Sequence, residues 1–155
     1  ITMKKIIAVF AALAIIFSLA SCASKPVDNE TTANPTEAPA TEPITLDSSL
    51  SSFGSKEDYK HVCYLEIIQK DGSAQKYGVY AKEDSLGKSL SSMGIIAGEE
   101  GPYGLMIESV LGEEHIYETS GYCWMIYVNG EQAQTGVDGI KLENGATYSL
   151  KVETF

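Results

Sequence analysis

The chain has 155 residues and a formal net charge of −10, and it contains no arginine. Because nucleic-acid surfaces are bound by clustered cations, with arginine favoured for its two-pronged hydrogen bonding, this composition argues against a nucleic-acid-binding protein. Residues 1–22 are almost wholly apolar, residues 23–58 are polar and rich in proline, and residues 59–155 have a globular composition. The sequence therefore predicts one small folded domain that follows two segments without a core of their own.

The first segment has the pattern of an export signal. Lys4 and Lys5 precede the apolar run 6–20. A membrane-spanning helix needs about 20 apolar residues, and this run is shorter. The run ends in Leu19-Ala20-Ser21-Cys22, which resembles the lipobox of bacterial lipoproteins. That resemblance implies that Cys22 is acylated and anchors an extracytoplasmic protein to a bacterial membrane at the cell surface. The alternative is an ordinary secretory signal with an incidental cysteine.

Residues 23–58 are predicted to be a disordered tether. Four of the five prolines of the chain lie there, separated by Thr, Glu, Asn and Ala. Such a composition cannot bury enough apolar surface to offset the entropy of ordering. The Ser-rich stretch 46–54 is expected to continue this spacer.

The domain is predicted to begin with a hairpin and a helix. Apolar residues alternate over 62–69 and 75–81, and the Asp71-Gly72 turn lies between the two segments. Asp84 or Ser85 is placed to cap a helix that runs through about Met93. A Gly-rich loop is expected next.

Three further strands follow. They are predicted over 105–111, over 122–129 and around 148–152, and Asn129-Gly130 is a favourable hairpin turn from which 131–134 returns. The order of strand, strand, helix and three strands indicates an α+β fold with a β-grasp-like mixed sheet. A single helix would then pack on one face of this sheet, and the other face would stay partly open.

Two segments carry a family resemblance. Gly121-Tyr122-Cys123-Trp124-Met125-Ile126-Tyr127-Val128-Asn129-Gly130-Glu131 and Leu142-Glu143-Asn144-Gly145-Ala146-Thr147-Tyr148 resemble DUF4430 domains, which are similar to the C-terminal β-domain of transcobalamin and intrinsic factor. The resemblance covers roughly residues 60–155. It implies a β-grasp module that binds a ligand or a protein, with cobalamin as one possible ligand. This chain departs from the family in having Gly145-Ala146 where Gly-Asp is frequent, and it has no large helical domain to enclose a corrinoid.

The cysteines and histidines give little sign of chemistry. In an exported chain Cys63 and Cys123 invite a disulfide, but strand alternation turns them to opposite faces, which argues against one. Glu113, Glu114 and Glu118 around His115 could be imagined as a metal cluster, although a solvated acidic loop fits better. No nucleophile elbow or phosphate loop is present. The sequence therefore predicts neither an enzyme nor a bound cofactor.

The aromatic side chains are the stronger indication of function. Tyr103, Tyr122, Trp124 and Tyr127 are predicted to form a platform for a flat ligand, a glycan or a partner. The alternative is that Trp124 belongs to the core and Tyr127 merely covers the open sheet face. The sequence thus predicts a non-catalytic, membrane-anchored binding module whose partner is a small molecule or a surface protein or glycan. A second hypothesis is a corrinoid-binding surface lipoprotein that serves an importer.

Overall fold

The computed structural model describes residues 44–154. The predicted signal peptide, the lipidation site Cys22 and residues 23–43 of the predicted tether lie outside the described residues. Within them the chain is mostly β-structure, and its strands form two sheets with one helix of two turns. The predicted α+β class is confirmed, whereas the expectation of one sheet is not.

The secondary-structure elements follow the predicted order with additions. The strands are β1 (Ser52–Gly54), β2 (His61–Ile68), β3 (Ala74–Ala81), β4 (Ile96–Gly101), β5 (Gly104–Val110), β6 (Glu113–Glu114), β7 (Cys123–Val128), β8 (Glu131–Gln132) and β9 (Thr147–Glu153). The helices are α1 (Leu86–Ser92) and the single turn α2 (Tyr117–Ser120), and a 3-10 turn spans Val137–Gly139. None of the helices in 44–154 is long and apolar enough to cross a membrane.

The larger sheet is mixed and has the strand order β1-β3-β2-β9-β7-β8. Strand β9 lies parallel to β2, and β1 lies parallel to β3, whereas the other pairs are antiparallel. The hairpin turn between β7 and β8 is as predicted, because Asn129 and Gly130 have φ values of 51° and 87°. A turn with positive φ at both central positions matches the twist of the strands that it joins.

The core lies on one face of the larger sheet, against α1 and the smaller sheet. The alternating side chains of β2, β7 and β9 that were predicted to face inward do so, and Trp124 is only 5% exposed. Helix α1 is capped by Ser85, whose hydroxyl accepts the Lys88 N–H, and it contributes Leu86 and Leu90 to the core. Cys63 is buried in this core and Cys123 is half-buried on the opposite face, so the two thiols stay free.

The smaller sheet, ordered β4-β5-β6, corrects the predicted Gly-rich loop. Residues 96–101 form strand β4, which pairs with β5 along its whole length, with a register shift between Ala97 and Gly98. Four of its six residues are exposed, and they include Glu99 and Glu100. An edge strand with a charged, exposed surface lacks the apolar alternation by which strands are recognised.

The end of the predicted tether also belongs to the fold. Residues 52–54 form β1 at the edge of the larger sheet, and Leu46 is only 7% exposed. Leu46 packs on the face opposite the core at Gly78, where a Cβ atom would lie 2.4 Å from the Leu46 Cδ1 atom. The prediction that 46–54 continues the spacer is therefore wrong, because a Ser-rich stretch needs only one well-placed leucine to dock on a sheet.

Candidate functional site

An apolar groove of about 290 Å³ lies where the two sheets meet. It is lined by residues 105–108 of β5, residues 115–118 around the start of α2, residues 123–126 of β7, and residues 136–137. Most of the lining is apolar, and Ile107, Trp124 and Val137 are buried core residues. A concave apolar site with a few polar groups is the usual form of a ligand pocket.

The groove runs along strand edges. Four consecutive residues of β5 and four of β7 line it, and consecutive residues of a strand point to opposite faces. Strands β5 and β7 belong to different sheets and do not pair with each other. On its outer side β7 pairs with β8 only at Tyr127 and Val128, and the Ala133 N–H donates to the Ile126 carbonyl at 2.8 Å. Within 44–154 no strand is therefore hydrogen-bonded to the outer edge of β7 at Trp124.

Trp124 gives the groove its main polar feature. Its indole Nε1 is buried and, among residues 44–154, has no hydrogen-bond partner. A buried donor without an acceptor costs about 1–3 kcal/mol, and such donors are rare in folded proteins. One residue that lines the groove thus carries a buried N–H group for which residues 44–154 supply no acceptor.

His115 lies against Trp124, with the ring centroids 5.3 Å apart in an edge-to-face arrangement. Its Nε2 atom lies 3.0 Å from the Glu113 Oε1 atom. The stretch 113–115 was interpreted as a solvated acidic loop; Glu113 and Glu114 are exposed, but they form strand β6, which pairs with β5. His115 differs from them because its side chain is only 15% exposed and lines the groove.

The four predicted ligand-binding aromatics do not converge. Trp124 lines the groove, whereas Tyr103 is 90% exposed at the tip of the β4–β5 hairpin. Tyr122 is half-buried behind His115, and the Lys70 Nζ atom lies 3.9 Å from the centroid of its ring. Whether any of them binds a ligand stays a prediction.

Tyr127 lies on the other face of the larger sheet. Its hydroxyl donates to the Glu153 Oε2 atom at 2.5 Å, and this hydrogen bond raises the pKa of Tyr127. The pKa of Glu153 is lowered, first by its hydrogen bond with Lys151 and then by that with Tyr127. Tyr127 is thus engaged in a polar cluster on the open face, and a single platform that includes both it and Trp124 is not formed.

The sequence did not point to Met106, Tyr117 or His115 as neighbours of Trp124. Met106 and Tyr117 are 58% and 45% exposed. Strand β5 was predicted, but its approach to β7 depends on a contact between two sheets. Periodicity describes which face a residue occupies and carries no information about such contacts.

A larger depression of about 550 Å³ lies at the turn between β2 and β3. It is shallow and is lined by the polar residues Gln69, Lys70, Asp71, Ser73 and Glu113. A site so open to water leaves a ligand mostly solvated, so we regard the smaller apolar groove as the candidate site. Within 44–154 no group of three or more His, Cys, Asp or Glu residues is placed to hold a metal ion.

The fold and the groove define a class: a small α+β domain with a ligand-sized apolar groove between two sheets. Residues 83–154, from just before α1 through β9, match the family model described as "Domain of unknown function (DUF4430)". The match confirms the family resemblance. The matched segment begins after the hairpin β2–β3, whereas the resemblance was predicted to cover roughly residues 60–155 and so to include that hairpin.

Solved structures and curated proteins were also compared. The chain is similar to a protein of Ruminococcus gnavus ATCC 29149 described as a "putative metal binding protein", with a TM-score of 0.58 and 25% identity over 62% of this chain and 99% of that one. Haptocorrin in complex with Cbi aligns with a TM-score of 0.47 and 14% identity over 63% of this chain and 26% of that one. No curated protein matched the sequence.

Proposed function

We propose that this protein is a membrane-anchored, extracytoplasmic binding module, and that its ligand occupies the groove beside Trp124. The observation that carries the proposal is the ligand-sized apolar groove, one of whose lining residues, Trp124, has an indole N–H without an acceptor among residues 44–154. A ligand oxygen or nitrogen placed there would remove the desolvation cost of that donor. The module is proposed to be non-catalytic, since its sequence contains none of the motifs of nucleophilic or phosphate chemistry.

The fold is proposed to be a β-grasp. The strand order β3-β2-β9-β7, with the last strand parallel to the first of the hairpin, supports this assignment. So does α1, which packs its leucines on one face of that sheet. The arrangement leaves the outer edge of β7 beside the groove, where a binding module needs access.

The size of the groove limits what it can enclose. At about 290 Å³ it lies near the lower end of the range of roughly 300–1,000 Å³ that holds drug-sized ligands. A corrinoid is larger than such a ligand, so the family-derived hypothesis of cobalamin binding requires contact at the mouth of the groove only. Titration with cobalamin or cobinamide tests that hypothesis, and the absence of a spectral shift would reject it.

Replacing Tyr117 with alanine tests the groove. Tyr117 forms part of its wall and is 45% exposed, and Tyr59, which is 42% exposed, does not line it. We expect a ligand found by thermal-shift screening of the full-length protein in detergent to raise the Tm of the wild type and of Tyr59→Ala. The same ligand should raise the Tm of Tyr117→Ala much less. Equal shifts in both variants would place the ligand elsewhere and reject the groove as the site.

The lipid anchor is a separate part of the proposal. If the lipobox resemblance of residues 19–22 is correct, mass spectrometry of the membrane fraction will find an acylated Cys22 as the mature N-terminus. A Cys22→Ser variant should then be absent from that fraction. An intact wild-type chain that continues upstream of Cys22, or one without acyl groups, would contradict the anchor without affecting the groove.

A further inference from the structure

The outer edge of β7 offers backbone groups to the groove. The Asn129 N–H donates to the Thr147 carbonyl at 2.8 Å, so the alternate residues 127, 125 and 123 direct their backbone groups towards β9. The backbone groups of Trp124 and Ile126 therefore point away from β9. The Ile126 carbonyl accepts from the Ala133 N–H, but no strand of 44–154 pairs with the outer edge of β7 at Trp124.

The rim of the groove is acidic. Glu108 and Glu118 line the groove, and Glu113 is bonded to His115, which also lines it. We call these three carboxylates the acidic rim. An anionic ligand would be repelled here, whereas a cationic group would gain from a carboxylate next to an apolar surface of low dielectric.

The acidity extends beyond the groove. The chain contains no Lys or Arg between Lys88 and Lys141, although eight acidic residues lie in that interval: Glu99, Glu100, Glu108, Glu113, Glu114, Glu118, Glu131 and Asp138. Two lysines lie at the border of this region. The Lys70 Nζ atom lies over the Tyr122 ring, and Lys88 lines the same surface depression as Glu100 and Asp138. The lysines thus border a part of the fold that is itself without cations. Acidity that served solubility alone would not require this separation.

We propose that the groove binds an extended peptide segment of a partner protein, in which apolar side chains alternate with lysine or arginine. The peptide backbone pairs with the Trp124 edge of β7, and one of its carbonyl groups accepts the indole N–H. An apolar side chain enters the groove, and neighbouring cationic side chains meet the acidic rim. Main-chain pairing gives such complexes affinity, and alternate side chains give them specificity.

A peptide fits these observations better than a small molecule does. A small molecule of the size of the groove would leave the acidic rim uncovered, whereas a polypeptide would cover both the groove and the acidic rim. The groove also runs along a strand edge, which is the geometry that an added strand requires. This inference rests on the proposed function, since it names the class of ligand for the same groove.

The test uses the only tryptophan of the chain, Trp124, as the reporter. The probe is a nine-residue peptide of alternating lysine and valine with blocked ends, titrated into the full-length protein in detergent at low salt. Two matched probes are the glutamate–valine peptide and the lysine–valine peptide with alternate amides N-methylated. We expect the lysine–valine peptide alone to change the Trp124 emission, with an affinity that falls as salt is added.

A pair of variants tests the acidic rim. Glu108→Gln with Glu118→Gln should weaken binding by about tenfold or more. The control, Glu57→Gln with Glu143→Gln, removes the same charge from exposed positions outside the groove and should leave the affinity nearly unchanged. Equal weakening in both pairs, equal binding of the glutamate or N-methylated peptide, or no peptide binding would overturn the inference. Binding of a small molecule in the groove, without any peptide, would overturn it and leave the proposed function standing.

Discussion

Two residues of the core, Trp124 and Cys63, carry polar groups in buried positions. Trp124 buries a hydrogen-bond donor without an acceptor in the described part of the chain. Cys63 is a buried thiol in β2, and burial raises its pKa to about 12 from an ordinary value of 9.0. The tryptophan lines the groove, where the proposed ligand would supply its acceptor. The thiol does not line the groove and serves packing in the core.

The raised pKa of Cys63 predicts how stability changes with pH. The folded state holds the thiol proton up to about pH 12, whereas the unfolded chain releases it near pH 9. The contribution is therefore fully present below pH 9 and is lost as pH rises towards 12, by about 1.4 kcal/mol per pH unit. We expect Cys63→Ala to show a shallower fall in the free energy of unfolding than wild type between pH 9 and 11, measured by urea denaturation.

Cys123→Ala is the matched control for that experiment. Its thiol is only half-buried, although desolvation and then the nearby Glu153 also raise its pKa. Tyr148, whose pKa is raised mainly by burial, remains in both variants. A wild-type slope in Cys63→Ala would show that the thiol titrates freely and that this part of the core is open to water.

At the scale of elements, the sequence predicted the strands that alternate and did not predict β1, β4 and β6, which lie at sheet edges. Strands β2, β3, β7 and β9 have one buried face, so apolar residues recur at every second position. Strand β4 is mostly exposed, and β1 has three residues in a Ser-rich stretch. Both are held by backbone pairing with an inner strand, which leaves no apolar pattern in their own residues.

The candidate site was predictable in part for the same reason. Trp124 was among the predicted residues because it lies on the strand with the clearest motif. Tyr122 was placed near it correctly, although behind the groove, whereas Tyr103 and Tyr127 point elsewhere. His115 and Tyr117 could not be assigned from the sequence, because their proximity to Trp124 depends on how the second sheet packs against the first.

At the scale of the whole molecule, the acidic residues and the lysines are distributed unevenly around the groove. The smaller sheet and α2 carry six acidic residues and no lysine, and no lysine lies between Lys88 and Lys141, whereas the rest of the described chain carries both signs of charge. A field of one sign around a concave apolar site steers oppositely charged partners towards it. The proposed anchor would hold this domain at a membrane surface while the groove selects the partner.

The central claim is that the Trp124 indole N–H receives its acceptor from a ligand, and its NMR signal tests this most directly. A ¹⁵N-labelled full-length sample gives one indole resonance, because Trp124 is the only tryptophan. On saturation with a ligand that raises the Tm of the protein, we expect this resonance to move downfield and its exchange with water to slow. A resonance that stays at its original position under saturation would show that ligand binding leaves the indole unpaired, and would contradict the account.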